Sequence, residues 1–231
     1  MRQEFKKDNF EVLYLVMKKI LSYLLLFFTC TPTFSQTIEG NKISQVYEVR
    51  GIDAKQIFSK LNYAIALIYQ DADDVIKFKD DESKRMVIKA LALVPVLDAY
   101  KLMNPNNSEL TDYIDYSHDY TLIIEAREEK YRIQMIYEDG KYSDSQLAEY
   151  KLPFSAKMDF KTDELEKIMD KARIEMSQDF YDMTSKKKKE IYILSQPKVV
   201  RKYQETLKDY STLFFQSIYK KVLDDIKSED W

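Results

Sequence analysis

Tyr120–Asp139 reads YTLIIEAREEKYRIQMIYED, and its second half decides the fold. Tyr131, Ile133, Met135 and Tyr137 alternate with Arg132, Gln134, Ile136 and Glu138. A period of two sends successive side chains to opposite faces of a strand, so the first set faces a core. Glu128-Glu129-Lys130 is too charged to be buried and makes the turn; Asp139-Gly140 closes the second arm. The stretch is predicted to be an antiparallel hairpin with arms over Tyr120–Arg127 and Tyr131–Glu138.

A second hairpin is predicted upstream, from Val75–Lys79 and Met86–Val94 around the charged loop Asp80–Lys84. Pro95 is expected to end useful pairing there, because proline has no N–H for a ladder. Asn104-Pro105-Asn106-Asn107 marks the segment from Asp98 to Asp112 as a turn-rich loop. Earlier still, Ile43–Arg50 (ISQVYEVR) reads as a strand with Tyr47 and Val49 on one face, broken by Gly51. Asp53 followed by Gln56 is a capping-box pattern that opens a helix. Ile57, Leu61, Ala64, Ile65 and Ile68 then recur at helical spacing, and the helix is expected to fade near Tyr69–Ala72.

Thr162 is the expected cap of a long helix, with Asp163, Glu164 and Glu166 in its first turn, where acids suit the helix dipole. Leu165, Ile168, Met169, Ala172, Met176, Phe180 and Met183 make its apolar face. Pro197 suits the first turn of a last helix. Val200, Tyr203, Leu207, Tyr210, Phe214, Ile218, Val222 and Ile226 make the stripe of that helix. The order is β-α-β-β-β-β-α followed by a further helix, which predicts an α+β fold: an antiparallel sheet with helices against it. Residues 36–160 form the α+β domain in this reading. Residues 161–231 form a C-terminal helical hairpin packing on or beside it.

Lys18 and Lys19 precede an apolar run, Ile20–Phe28, that is too short to span a bilayer. With the small residues that follow, it reads as a secretory signal whose natural start is Met17, a long n-region from Met1 being the other option. Thr33 and Ser35 sit at −3 and −1 of a cut before Gln36; Phe27 and Phe28 fit a lipoprotein site at Cys30 poorly. Cleavage after Ser35 is favoured over lipidation at Cys30. Cys30 is the sole cysteine of the chain, so the exported form has no disulfide and relies on its core. Removing residues 1–35 leaves 196 residues and takes the net charge from −3 to −5. Mild acidity with interspersed signs excludes the clustered basic field that nucleic-acid binding needs.

This arrangement resembles the domain of unknown function 4468 family, a TBP-like fold (TBP being the TATA-box-binding protein) of envelope proteins from Bacteroides-type bacteria. The likeness is carried by YEVRGIDAKQIFSKLNYAIALIY (47–69), DDVIKFKDDESKRMVIKALALV (73–94) and YTLIIEAREEKYRIQMIYED (120–139), and covers roughly residues 44–140. Lys89-Ala90 and Tyr63 depart from the Gly and Trp frequent in the family. The resemblance implies a TBP-like fold and an envelope location, with no activity and no catalytic residues to carry over. Function lives in sites and not in folds, so the fold label does not imply DNA binding.

No constellation in the sequence points to catalysis, a metal or a cofactor. His118 is the only histidine, and Ser117-His118-Asp119 on one strand alternates faces and cannot act as a triad. It is read as a strand-edge residue, solvated or hydrogen-bonded. Asp112, Asp115, His118 and Asp119 resemble a ligand set in composition, but no calcium loop or HExxH pair is present. Asp71, Asp73, Asp74 and Asp80, Asp81, Glu82 read as solvated turns. Carbohydrate sites usually use several aromatic platforms, and Trp231 is the one tryptophan.

Lys186, Lys187, Lys188 and Lys189 are expected as a solvated hinge between the last two helices, capable at most of weak contact with an anionic surface. Tyr210, Phe214, Phe215, Ile218 and Tyr219 give the last helix more aromatic surface than a narrow seam needs, and are the candidate surface for a protein partner or self-association. The leading expectation is an exported, non-enzymatic binding or interaction protein. The rivals are a binder of a small apolar ligand between sheet and helices, and a hydrolase. The export reading predicts that the protein recovered from its own envelope begins at Gln36 by intact mass; a diacylglyceryl-Cys30 would overturn it.

Overall fold

A computed structural model describes residues 36–69, 71–142, 155–177 and 185–228. Residues 1–35, on which the expected signal, its cleavage site and Cys30 fall, and Phe180, Met183 and Trp231 lie outside the described residues. Residues 35–231 form one compact unit. Its strands are β1 (Gln36–Glu39), β2 (Lys42–Glu48), β3 (Ile76–Asp80), β4 (Arg85–Leu97), β5 (Tyr113–Arg127), β6 (Lys130–Tyr137) and β7 (Lys141–Tyr142). The helices are α1 (Ala54–Ile68), α2 (Ala72–Val75), α3 (Ala99–Met103), α4 (Thr162–Met176) and α5 (Lys186–Ser228). The sheet is antiparallel in the order β1-β2-β6-β5-β4-β3, with β7 pairing β5 off that path. The fold is α+β, as the element order predicts; β1, β7 and the two short helices are additions to it.

The hairpin read first in the sequence is the centre of the sheet. Tyr120 faces Tyr137 and Arg127 faces Lys130 across it. Tyr131, Ile133, Met135 and Tyr137 are all buried, and so are Tyr116, Tyr120, Leu122 and Ile124 on β5. Tyr47 and Val49 sit on the inner face as expected. Asp53 caps α1 by accepting from the Gln56 N–H at 2.7 Å. Ile57, Leu61, Ala64 and Ile65 are buried against the sheet, joined by Phe58.

Three expectations fail, each for a physical reason. Pro95 does not end β4, which runs on to Leu97 with Pro95 opposite Asp115. The Ala126 N–H bonds to the Lys84 carbonyl at 3.0 Å, so even-numbered residues of β4 turn their backbone groups to β5 and odd-numbered ones turn away. β3 pairs only with Arg85–Ile88, so Pro95 faces an edge where its missing N–H costs no ladder bond. Thr162 is not the cap of α4 but its first residue; Glu164 accepts from the Lys161 N–H at 2.9 Å. Pro197 does not start the last helix but lies inside it. Ser195 Oγ and Gln196 Nε2 both donate to the Tyr192 carbonyl, at 2.7 and 3.2 Å, bracing the turn just before the proline.

α5 covers the inner face of the sheet. Val200, Tyr203, Leu207, Ser211, Phe215, Ile218 and Val222 are its buried line. α4 is fastened to α3 and α5 through Glu175, whose carboxylate accepts from Tyr100 Oη at 3.1 Å and from Tyr192 Oη at 3.2 Å. Ile218→Ala is expected to lower stability by about 2–5 kcal/mol, because a fully buried branched chain leaves a cavity. Leu213→Ala, on the outer side of the same helix, should stay within about 0.5 kcal/mol. Urea unfolding of both variants checks the pair.

Candidate functional site

The five aromatic and aliphatic side chains expected as an interaction surface point inward. Phe215 and Ile218 are fully buried. Tyr210, Phe214 and Tyr219 are half-buried and pack on the same core. Tyr219 stacks on Tyr47 with ring centres 4.7 Å apart, and Phe214 meets Tyr69 and Tyr120 edge-on. The stripe on α5 holds at Val200, Tyr203, Leu207, Ile218 and Val222, and shifts by one residue only in its middle, where Ser211 and Phe215 take the core positions expected of Tyr210 and Phe214. Its hydroxyl donates to the Leu207 carbonyl at 2.8 Å and lies 2.9 Å from Tyr137 Oη. Lys186–Lys189 are not a hinge either: they form the first turn of α5, with Lys186, Lys187 and Lys188 exposed and Lys188 Nζ donating to Asn104 Oδ1.

His118 departs most from expectation. It is fully buried in β5 rather than solvated at an edge. The Glu138 carbonyl can only accept, so His118 Nδ1, 3.0 Å away, carries the proton. Nε2 then accepts from Tyr203 Oη of α5 at 3.3 Å. Gly140 lies against the imidazole so closely that a Cβ there would collide with the ring. Burial pushes the His118 pKa below its ordinary value, against smaller opposing effects of the Glu138 carbonyl, Asp139 and Asp119. Burial likewise raises the phenols of Tyr137 and Tyr203. Tyr69 and Tyr120 share a 2.7 Å hydroxyl contact, and Tyr69 is pushed up to about 12.

These groups form a polar seam between sheet and α5 whose hydrogen bonds run inside the protein. His118 has both nitrogens engaged and no solvent contact, so its role is to tie β5, the turn at Glu138–Gly140 and α5 together. Asp115 and Asp119 occupy odd positions of β5, on the opposite face from His118. Among the described residues, no group of three or more His, Cys, Asp or Glu side chains is placed to hold a metal ion. Lys60 was missed by pattern reading: it is 4% exposed on α1 and pairs with Asp225 of α5 at 3.2 Å.

The other face of the sheet has no helix over it among the described residues. Its cross-strand rows follow from the register. One is Asp80–Arg85–Glu125–Arg132–Val46, with Glu125 paired to both arginines. The next is Phe78–Val87–Ile123–Gln134–Ser44. Towards the far end of β4 come Leu91, Leu93 and Pro95. Leu91 and Leu93 are 54% and 55% exposed, and Val46, Phe78 and Tyr113 are also open to solvent. A recess of about 200 Å³ lies along Val46, Glu125, Arg127, Lys130 and Arg132. The alternation along each strand could have marked this face, since the same period that fixes the inner set fixes the outer one.

Residues 44–137 match the family model of the domain of unknown function DUF4468, with TBP-like fold. The match covers both hairpins, α1 and the start of the sheet, so the resemblance read in the sequence holds over that span. Two solved structures are also similar to the chain. One is a DUF4468 family protein from Bacteroides ovatus ATCC 8483, at TM-score 0.46 and 12% identity, covering 78% of this chain and 85% of that one. Another is a TBP-like protein from Parabacteroides distasonis ATCC 8503, at TM-score 0.42 and 11% identity, covering 80% and 93%. No curated protein matches the chain.

The buried histidine makes a pH prediction. Its folded pKa is depressed, so the unfolded chain takes up the proton first as pH falls. The stability it contributes is complete above the unfolded pKa of about 6.5 and drains away below it, by up to about 1.4 kcal/mol per pH unit. Urea midpoints should therefore fall between pH 7.5 and 5. In His118→Gln that slope should flatten, whatever the variant's absolute stability; an unchanged slope would assign it to other groups.

Proposed function

We propose that this chain is an exported, non-enzymatic interaction module of the cell envelope, and that the uncovered sheet face is where it meets another protein. The observation that carries this reading is the contrast between the two faces. The inner face is sealed by α1 and α5. The outer one keeps Val46, Phe78, Leu91, Leu93 and Tyr113 in water, and exposed apolar surface of that kind marks association sites. The alternating charges of Asp80, Arg85, Glu125 and Arg132 beside it would supply register, as rim charges do. The space a small apolar ligand would need between sheet and helices is filled at its centre by Tyr47, Tyr137, Tyr203 and Phe215. Lys186, Lys187 and Lys188 stay exposed on α5 and would add a weak, salt-sensitive contact with an anionic surface.

The test is site-specific photo-crosslinking in the native envelope. Photoreactive residues are placed at Val46 and at Leu91, at the two ends of the exposed apolar face, and at least one of them should give one discrete protein adduct; one at Leu213, on the outer side of α5, should not. No adduct from either Val46 or Leu91, or the same adducts from Leu213, would remove the outer face as the docking surface.

A further inference from the structure

We infer that the partner of the outer edge is a second copy of this chain, joined through antiparallel pairing of β4 with itself about Leu93. The inference rests on the interaction-module reading and names its partner.

The open edge has defined limits. β3 pairs with β4 as far as Ile88, and β4 ends at Leu97. Among the described residues no strand pairs with the outer side of Lys89–Leu97, and the short helix α2, which leads into β3 at Ile76, lies against β4 only at the Lys89 end. The parity set by the Ala126–Lys84 hydrogen bond turns the backbone groups of Lys89, Leu91, Leu93, Pro95 and Leu97 to that side. Nine residues of open strand, about 30 Å, is a template for another strand.

Only one kind of register suits both ends. An antiparallel copy centred on Leu93 sets Leu93 against its own counterpart, Leu91 against Pro95, and Lys89 against Leu97. The copy's β4 then ends at Leu97, just where β3 begins to occupy the edge at Ile88. A centre closer to Lys89 would drive the end of the partner strand into β3. Proline removes one donor at each Leu91–Pro95 pair and leaves the other bond of that pair intact.

The side chains agree with the register. Leu91, Leu93 and Pro95 of both copies would line up on the outer face as one apolar stripe, covering the two most open leucines of the sheet. Lys89, the only charge in the window, falls at opposite ends in the two copies. The lysines are then separated by about 26 Å, well beyond a Debye length. On the inner face the residues nearest the junction on the Lys89 side are Ala90 and Ala92, small enough to let a neighbouring strand approach. An edge of this length belongs to the smaller class of specific interfaces, so the dimer is dissociable and its population rises with concentration.

Analytical ultracentrifugation of the purified chain up to ~100 µM is the first measurement, with a rise to twice the chain mass expected. Leu93→Asp and Leu93→Lys should each sediment as a folded monomer at neutral pH, since each places like charges at the two-fold axis. An equimolar mixture of the two should recover the dimer. Folding of each is checked by circular dichroism, and Leu93→Cys serves as a second probe, because the axis would bring its two sulfurs within disulfide reach in the oxidised protein. A wild-type chain that stays monomeric overturns the second copy as partner; a discrete Val46 or Leu93 crosslink to a different protein would then leave the interaction-module reading standing. A dimer that persists in both single variants, or a mixture that fails to restore it, overturns the β4 edge.

Discussion

Everything in this fold depends on burial of one sheet face under α5. A two-residue period across β2, β4, β5 and β6 produces a continuous inner surface of tyrosines and aliphatic chains. That surface must be removed from water. α5 does most of this with a line that runs from Val200 to Val222, each large side chain contributing about 1.5–3 kcal/mol on burial. A helix of 43 residues is long because the sheet under it is wide and because α3 and α4 also dock on it. The length carries α5 through Pro197, where the packing on both sides of the proline outweighs the missing hydrogen bond.

An inner face rich in tyrosine brings hydroxyls into the core, and burying them without partners would be costly. Tyr137 meets Ser211, Tyr120 meets Tyr69, and Tyr203 meets His118. The Tyr137–Ser211 and Tyr203–His118 contacts fix which residue of α5 sits over which strand, and the Tyr120–Tyr69 contact ties the end of α1 to β5. A purely apolar interface would leave that register to shape alone. Lys60 and Asp225 do the same between α1 and α5, as a buried pair whose geometry is specific even where its net stabilisation is small.

The two proline positions and the serine show where pattern reading stops. Proline is a strong local signal: on the sequence alone it ends pairing at Pro95 and starts a helix at Pro197. Pro95 is tolerated because it falls on an odd position of an edge strand, and that depends on how far β3 reaches. Pro197 is tolerated because the helix is held from outside. Ser211 is polar and is no part of the expected apolar stripe, yet its hydroxyl has an acceptor and a phenol within reach. His118 was placed at an edge because the sequence does not say which strand lies beside it, or that Gly140 and α5 close over it. In the same way, the aromatic residues of α5 looked like spare surface until the width of the sheet was known.

The sequence by itself determined the main strands and helices, β1, β7 and the two short helices apart, with their order, the inner and outer faces of those strands and the α+β class. These follow from periodicity and from capping residues, which act over a few neighbours in the chain. Only the tertiary structure decided that α5 begins before Pro197 and runs through it, that its aromatic face is core, and that among the described residues no helix covers the outer sheet face and no strand pairs with β4 beyond Ile88. Those facts depend on which segments meet across a hundred residues or more, and side-chain burial there is set by the partner, not by the neighbour in sequence.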